Sequence, residues 1–429
     1  MLARLKSMKK ISRDKSRLLS NISSLTALQI FTYILPLITL PYLVKVLGIE
    51  TFGKVVMAQA FIVYFNLVVD FGFNFSATRE IAIHRNNQEK LTEIYGSVFC
   101  IKLILAFASF FVFVIIVSNF EILSQEWKLY YLTFLSVVAQ AIFPVWFFQG
   151  MEKMQYITIV NIFSRVIFTI LIFWTVNSEV DYLRVPILNS LGMFLGGVVS
   201  ILIIREKFQQ KVKLYSFETL KKYFLDSRHF FLSRISVSLY TSSNIFILGL
   251  FVGNVAVGYY SVADKVYQAM QQVYQPIASA LYPHMSKERN VVLFKKIFIS
   301  VLVLNVAAIT ILFFFAQDIF NVLFTSKVSE ETLKIFYILL VACLIIVPSI
   351  MMGHPFLSAL GYSNYANNSV IYASIFHLLG LAMLIVYKNV NVYSVAYLVV
   401  LTQLLDMGIR LFAINKYKLW SAKEACAAS

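Results

Sequence analysis

Charge is what this sequence has least of. Only 14% of its 429 residues are Asp, Glu, Lys or Arg, where soluble domains carry roughly 25%, so it lacks the polar side chains to cover a water-facing surface. Cysteine is scarce as well. Cys100 and Cys343 fall in apolar runs and Cys426 in the tail, which excludes a disulfide framework and any thiolate metal spacing. The five histidines are scattered, with His377 alone inside an apolar run and no pair at helical i, i+3 or i+4 spacing. No nucleophile constellation, phosphate-cradling glycine loop or acidic metal cluster is present either. The sequence therefore predicts no enzyme, no cofactor and no metal.

What is abundant is apolar: 59% of residues are hydrophobic and 16% aromatic. A bilayer core takes about 20 apolar residues per helix, and about twelve such runs follow one another: 23–44, 55–77, 94–118, 129–149, 157–176, 185–204, 229–251, 258–283, 297–316, 333–353, 369–387 and 394–413. Run 258–283, "GYYSVADKVYQAMQQVYQPIASALYP", is amphipathic. It reads either as a surface helix or as a helix with a polar stripe facing water inside a bundle, and we expect the latter. The basic start, "MLARLKSMKKISRDKSR", resembles a signal-peptide head, but the run after it is long enough to span and lacks a small-residue cleavage site.

Orientation follows from the basic residues, because positive loops stay in the cytoplasm. With the N-terminus inside, the inner segments hold 25 of the 37 lysines and arginines. Both termini are thus expected in the cytoplasm. The net charge of +16 is mostly this topology signal and an attraction to anionic inner-leaflet lipid, not a sign of nucleic-acid binding.

Two echoes suggest internal duplication. "LGIETFGKVVMA" and "VGNVAVGYYSVA" share a G-x4-G loop, Gly48 and Gly53 against Gly253 and Gly258, at an offset of 205. "PVWFFQG" and "PFLSALG" share P-x5-G at an offset of 211. The expected fold is an all-α integral membrane protein of two six-helix, parallel-repeat lobes with a substrate site between the halves. The segments are a basic N-terminus (1–22), a first lobe (23–204), a basic cytoplasmic linker (205–228), a second lobe (229–413) and a tail (414–429).

Charges inside the runs mark the candidate site. Asp70, Lys102 and Arg165 each lie about eight residues from an inner end, roughly 12 Å deep. Arg234, Arg410 and Asp406 are shallower, and Asp264 with Lys265 lies near an outer end. A lone charge facing lipid costs about 2.5–3.5 kcal/mol, so such residues normally face a bundle interior or a wet cavity. The plainer reading is that the long cations snorkel along their own stems and that Asp70 is a structural partner of Lys102 or Arg165. We take Lys102, Arg165, Arg234, Lys265 and Arg410 as substrate-binding candidates, and Asp70 and Asp264 as ion-coupling candidates. Pro36 and Pro41 in "YILPLITLPYL" are expected to bend the first helix, and together with the four loop glycines they are the gate candidates.

The stretches "LPYLVKVLGIETFGKVVMAQAF", "DFGFNFSATREIA", "PVWFFQGMEKMQYITI" and "VGYYSVADKVYQAMQQVYQPIASALYPHMS" resemble the Wzx-type polysaccharide flippases, relatives of the lipid II flippase and of the MATE drug antiporters in the MOP superfamily. The resemblance implies two six-helix lobes around a cation-lined cavity that opens alternately inward and outward. It implies a substrate of undecaprenyl-pyrophosphate-linked repeat units, moved across a bacterial inner membrane for O-antigen or related glycans. It also implies work beside a polymerase and glycosyltransferases, with a functional monomer as the default. A MATE-like cation antiporter is the alternative, though the excess of buried cations argues against it. A polysaccharide polymerase is a further one, against which the short external loops argue.

Overall fold

The computed structural model describes residues 2–324 and 326–420, with the side chains of 1–30, 33, 232–241 and 325–329 outside that description. Among the described residues there is helix and turn and no strand. Helix is the economical answer for an apolar chain, since it satisfies every backbone N–H and C=O within its own segment.

The order is α1 (Leu2–Asp70), α2 (Phe73–Ile83), α3 (Gln88–Asn119), α4 (Glu121–Ser124), α5 (Trp127–Ile142), α6 (Val145–Gly150), α7 (Met154–Thr175), a 3-10 turn (Glu179–Leu183), α8 (Arg184–Phe208), α9 (Phe217–Phe251), α10 (Asn254–Glu288), α11 (Val291–Leu323), α12 (Ser326–Met352), a π-helical turn (Gly353–Ser358), α13 (Ser363–Val386) and α14 (Val392–Lys416). Within α1 the non-helical backbone is at Gly48 (φ 74°, ψ 163°). Pro36 and Pro41 lie in helical backbone on its N-terminal side, so the break falls at the glycine instead of at the prolines.

Helix occupies each of the twelve expected runs, but nine helical stretches among the described residues are long and apolar enough to cross a membrane. The difference has local causes. Runs 23–44 and 55–77 meet in one continuous stretch, Ile34–Ile83, and run 229–251 contributes only the shorter Ser242–Phe251. Run 258–283 is too polar to qualify. It nevertheless lies in α10, which packs on α11, α12, α14 and the π turn and buries Ser261, Asp264, Tyr267 and Tyr274. Its polar stripe therefore faces protein. In α11 the pattern is inverted: 22% of the apolar window is buried, and Phe313, Phe314 and Phe315 stand exposed, a surface suited to hydrocarbon.

The chain forms two compact units, 1–39 with 58–235, and 40–57 with 236–429. In the first, α3 packs on α5, α5 on α8 and α8 on α7; in the second, α11 packs on α12, α12 on α14 and α14 on α13. The same four-helix arrangement thus occurs twice. Of the expected linker, 209–216 alone is without regular structure. It is strapped to the start of α3 through Gln210, a buried side chain whose Oε1 accepts from the Thr92 hydroxyl at 2.6 Å. Beside this strap a cavity of about 520 Å³ is lined by Asn87, Lys90, Glu93, Lys213 and Tyr215.

Candidate functional site

In the first unit the buried charges gather around two interruptions of helix. After Asp70 the backbone turns through two left-handed residues, Phe71 (φ 40°) and Gly72 (φ 78°). A Cβ on Gly72 would lie 2.7 Å from the Phe230 Cβ, so this turn needs glycine both for its dihedral and for its clearance. Phe71 stacks on Phe224 and Phe231 of α9, with ring centroids 4.2 and 4.6 Å apart. The carboxylate of Asp70 is held inside, 6% exposed, and its Oδ1 accepts from the Asn74 amide at 2.6 Å.

Lys102, on α3, is 1% exposed. Its Nζ donates to the Gln140 carbonyl at 3.1 Å. That carbonyl has lost its normal helical partner, because the residue four positions on is Pro144, which has no N–H. The carbonyl keeps a long bond from the Phe143 N–H at 3.4 Å, and the ammonium supplements it where the i+4 donor is missing. Asp70 is near enough for its charge to act on Lys102. Arg165, on α7, is half-buried. Close approach of α8 to this helix depends on small residues: a Cβ on Gly196 would lie 2.9 Å from the Ser164 Oγ.

In the second unit a polar side chain fills the same place. Asn305 of α11 donates through Nδ2 to the Cys343 carbonyl at 3.3 Å, 203 positions along from the Lys102 contact, and just before Pro348 in α12. The ions lie elsewhere. Asp406 and Arg410 pair at 3.1 Å within α14, both less than a tenth exposed. The Ser349 hydroxyl donates to Asp406 at 2.7 Å, while Arg410 donates to the Ser349 carbonyl at 2.5 Å and to the Ser369 hydroxyl at 2.9 Å. Ser349 lies four residues before the π turn, where regular helical pairing ends, so this guanidinium also serves backbone at a helix irregularity. Asp264 is buried and accepts from the Gln268 amide at 2.6 Å; Lys265 beside it is half-buried. The Arg234 side chain lies outside the described residues.

The loop glycines come together within the second unit. A Cβ on Gly53 would collide with the Asn254 carbonyl, and one on Gly258 with the Ile49 carbonyl. Gly48 and Gly253 (φ 110°) take backbone conformations that other residues adopt only under strain. The two G-x4-G loops thus cross backbone to backbone. Sequence reasoning missed the polar chain around His377, which the scattered histidines did not advertise, and the carbonyl contacts of Lys102 and Arg410. Among the described residues no group of three or more His, Cys, Asp or Glu is placed to hold a metal.

This helical architecture is that of MOP-superfamily carriers. A multidrug-resistance MATE transporter in an inward-facing conformation superimposes with a TM-score of 0.70 at 14% identity, over 93% of this chain and all of that one. The lipid II flippase MurJ, inward closed, gives 0.54 at 13% identity over 96% and 88%. Residues 18–289 match the family described as "Polysaccharide biosynthesis protein", and the chain belongs to that family. A curated relative from Escherichia coli K12, described as "Putative O-antigen transporter", is 31% identical over 67% of this chain and 70% of its own length. A second, from Shigella dysenteriae and described in the same words, is 31% identical over 59% and 64%. The chain is a multi-pass membrane protein of the polysaccharide biosynthesis family.

Proposed function

We propose that this protein is a flippase that moves undecaprenyl-pyrophosphate-linked oligosaccharide repeat units from the cytoplasmic to the periplasmic leaflet of a bacterial inner membrane, for O-antigen or a related surface glycan. The observation that carries the reading is the family match over 18–289, with relatives described as O-antigen transporters. The likeness to a lipid II flippase supports a lipid-linked cargo. Both termini face the cytoplasm, as the distribution of Lys and Arg requires.

A pyrophosphate calls for cationic donors, bidentate from Arg and point-like from Lys. Arg165 and Arg234, together with Lys102 and Arg410, supply them at inner depth, and Lys265 guides the headgroup outward. Lys102 and Arg410 already hold carbonyls at helix breaks, so in this scheme an arriving phosphate competes with backbone for their donors. That competition would loosen the breaks while the site is loaded. The lipid tail stays in the bilayer as the glycan crosses a cation-lined cavity by alternating access.

With a negative cytoplasm, outward movement of the anionic headgroup is favoured by about 2.3 kcal/mol per charge per 100 mV. Asp70, proton- or cation-bound in one state and near Lys102 in another, resets the carrier. The test is glycan display in a strain lacking the gene, complemented with wild type, Arg165→Ala or Asp70→Asn at equal protein levels. Cytoplasm-facing accumulation of single lipid-linked units, relieved only by wild type, is the expected result. Periplasmic units left unpolymerised would make the protein a polymerase instead.

A further inference from the structure

The second unit contains a buried polar chain that neither the headgroup site nor the Asp406–Arg410 pair uses. His377 of α13 is fully buried. Its Nδ1 lies 2.8 Å from the Thr402 Oγ1 on α14, and its Nε2 lies 2.7 Å from the Asn244 Oδ1 on α9. The Asn244 amide in turn donates to the Tyr260 hydroxyl on α10 at 3.1 Å. One imidazole thereby connects four helices.

Both ring nitrogens face oxygen, and a neutral imidazole has one donor and one acceptor. With Asn244 placed as found, Nε2–H donates to Oδ1, and Nδ1 accepts the hydroxyl hydrogen of Thr402. If a proton arrives at Nδ1, that hydroxyl hydrogen must turn away. A second acceptor is already in place, since the Leu398 carbonyl lies 2.7 Å from the same Oγ1. The imidazolium then donates at both ends, to Thr402 and to Asn244. Uptake of the proton requires one hydroxyl rotation and no heavy-atom movement, and every group is satisfied before and after. A histidine serving only as a strut needs one of these two patterns.

We infer that His377 is a proton-binding site, and that its loading and release is a cation step of transport in the second unit. Hydrogen bonds from a charged donor are roughly twice as strong as neutral ones, so loading draws α9 and α14 onto α13 and release relaxes them. The ionisable groups on the surrounding elements are Asp264, Lys265, His284, Lys287 and Glu288 on α10, Asp406, Arg410 and Lys416 on α14, and His354 on the π turn; tyrosines come from α10 (Tyr259, Tyr260, Tyr267, Tyr274, Tyr282), α13 (Tyr365, Tyr372) and α14 (Tyr393, Tyr397). In the part of α9 that belongs to this unit, the described side chains, Ser242–Phe251, include none. The proton site stands on geometry alone, whereas its role in transport rests on the flippase reading above.

The test uses full-length protein in lipid nanodiscs, labelled with 15N in its histidine rings, with the His377 signals identified by their loss in His377→Gln. As the pH falls from about 8 to about 4 they are expected to pass from the one-proton to the two-proton pattern. Thr402→Val removes the oxygen needed at Nδ1 and is expected to weaken proton binding about tenfold, as loss of a hydrogen bond to a charged group should. Thr402→Ser keeps that oxygen and should titrate like wild type. A ring signal that never changes over this range overturns the proton site. The second readout is movement of lipid-linked repeat units in vesicles with and without a pH gradient, where stimulation by the gradient should vanish in His377→Gln. Stimulation equal to wild type in that variant overturns the coupling step. If wild-type vesicles move no units under any gradient, the flippase reading fails, and the titration still decides whether His377 binds a proton.

Discussion

The two units use one architectural device and fill it with different chemistry. Each brings a long helix, α3 or α11, against a helix, α5 or α12, with a proline towards its C-terminal end, Pro144 just past α5 and Pro348 inside α12, and each sends a polar side chain across to a backbone carbonyl 38 positions further along the sequence. In the first unit that side chain is the ammonium of Lys102, with Asp70 close enough to act on it. In the second it is the neutral amide of Asn305, and the ions sit instead on α14, where Asp406 and Arg410 pair with each other. The helix break also differs. After Ile142 the first unit leaves helix over Phe143 and Pro144, while the second carries α12 through Pro348 and then widens into a π turn. The duplicated contact thus keeps its place in the helix pair while the need differs: the i+4 position of Gln140 is Pro144, whereas that of Cys343 is Val347, which keeps its N–H, and the side chain that reaches across changes from an ion to an amide.

The largest effect that would break this comparison is expected in the second unit. Arg410→Ala leaves Asp406 buried without its cation, and loss of one partner from a buried pair costs about 3–5 kcal/mol; thermal unfolding in detergent should show it. Next comes the glycine crossing. Gly258→Ala drives a methyl into the Ile49 carbonyl, an overpacking expected to cost about 1–3 kcal/mol, while Ala substituted for the unpacked Gly408, where a Cβ meets nothing within 4 Å, serves as the neutral control. Lys102→Met leaves the Gln140 carbonyl without its ammonium donor and should cost about 1–3 kcal/mol. The smallest effect sharpens the comparison most. Lys102→Asn writes the second unit's solution into the first, and where the shorter amide reaches the carbonyl, stability should fall by about 1 kcal/mol or less, so any larger loss of glycan display reports on the charge itself.

Much of this was legible in the sequence, because composition and run length obey the bilayer. The helical runs and the amphipathic character of 258–283 follow from counting, although its polar stripe, expected to face water, packs on protein. The repeat offsets were read as 205 and 211, and the structural correspondence explains the disagreement. The carbonyl contacts repeat at 203, an offset that places Pro144 one residue from Pro348 and eight from Pro355. The deeper losses concern direction. Position along a helix gives the depth of Lys102 but not which way it points, nor that its acceptor is a carbonyl freed by a proline on another helix. His377 was visible as a histidine in a span, yet its partners come from residues 133 and 25 positions away, and neither distance leaves a pattern in one sequence.

The backbone crossing at Gly53 and Gly258 has a consequence of its own. The polar contacts described above are made by groups that respond to their surroundings: carboxylates, an imidazole, guanidinium and ammonium ions. A seam made of two main chains has nothing to titrate and nothing for salt to screen. Such a seam is indifferent to the chemistry of either compartment, and what bears on it is the movement of α1 and α10, the helices that carry Gly53 and Gly258.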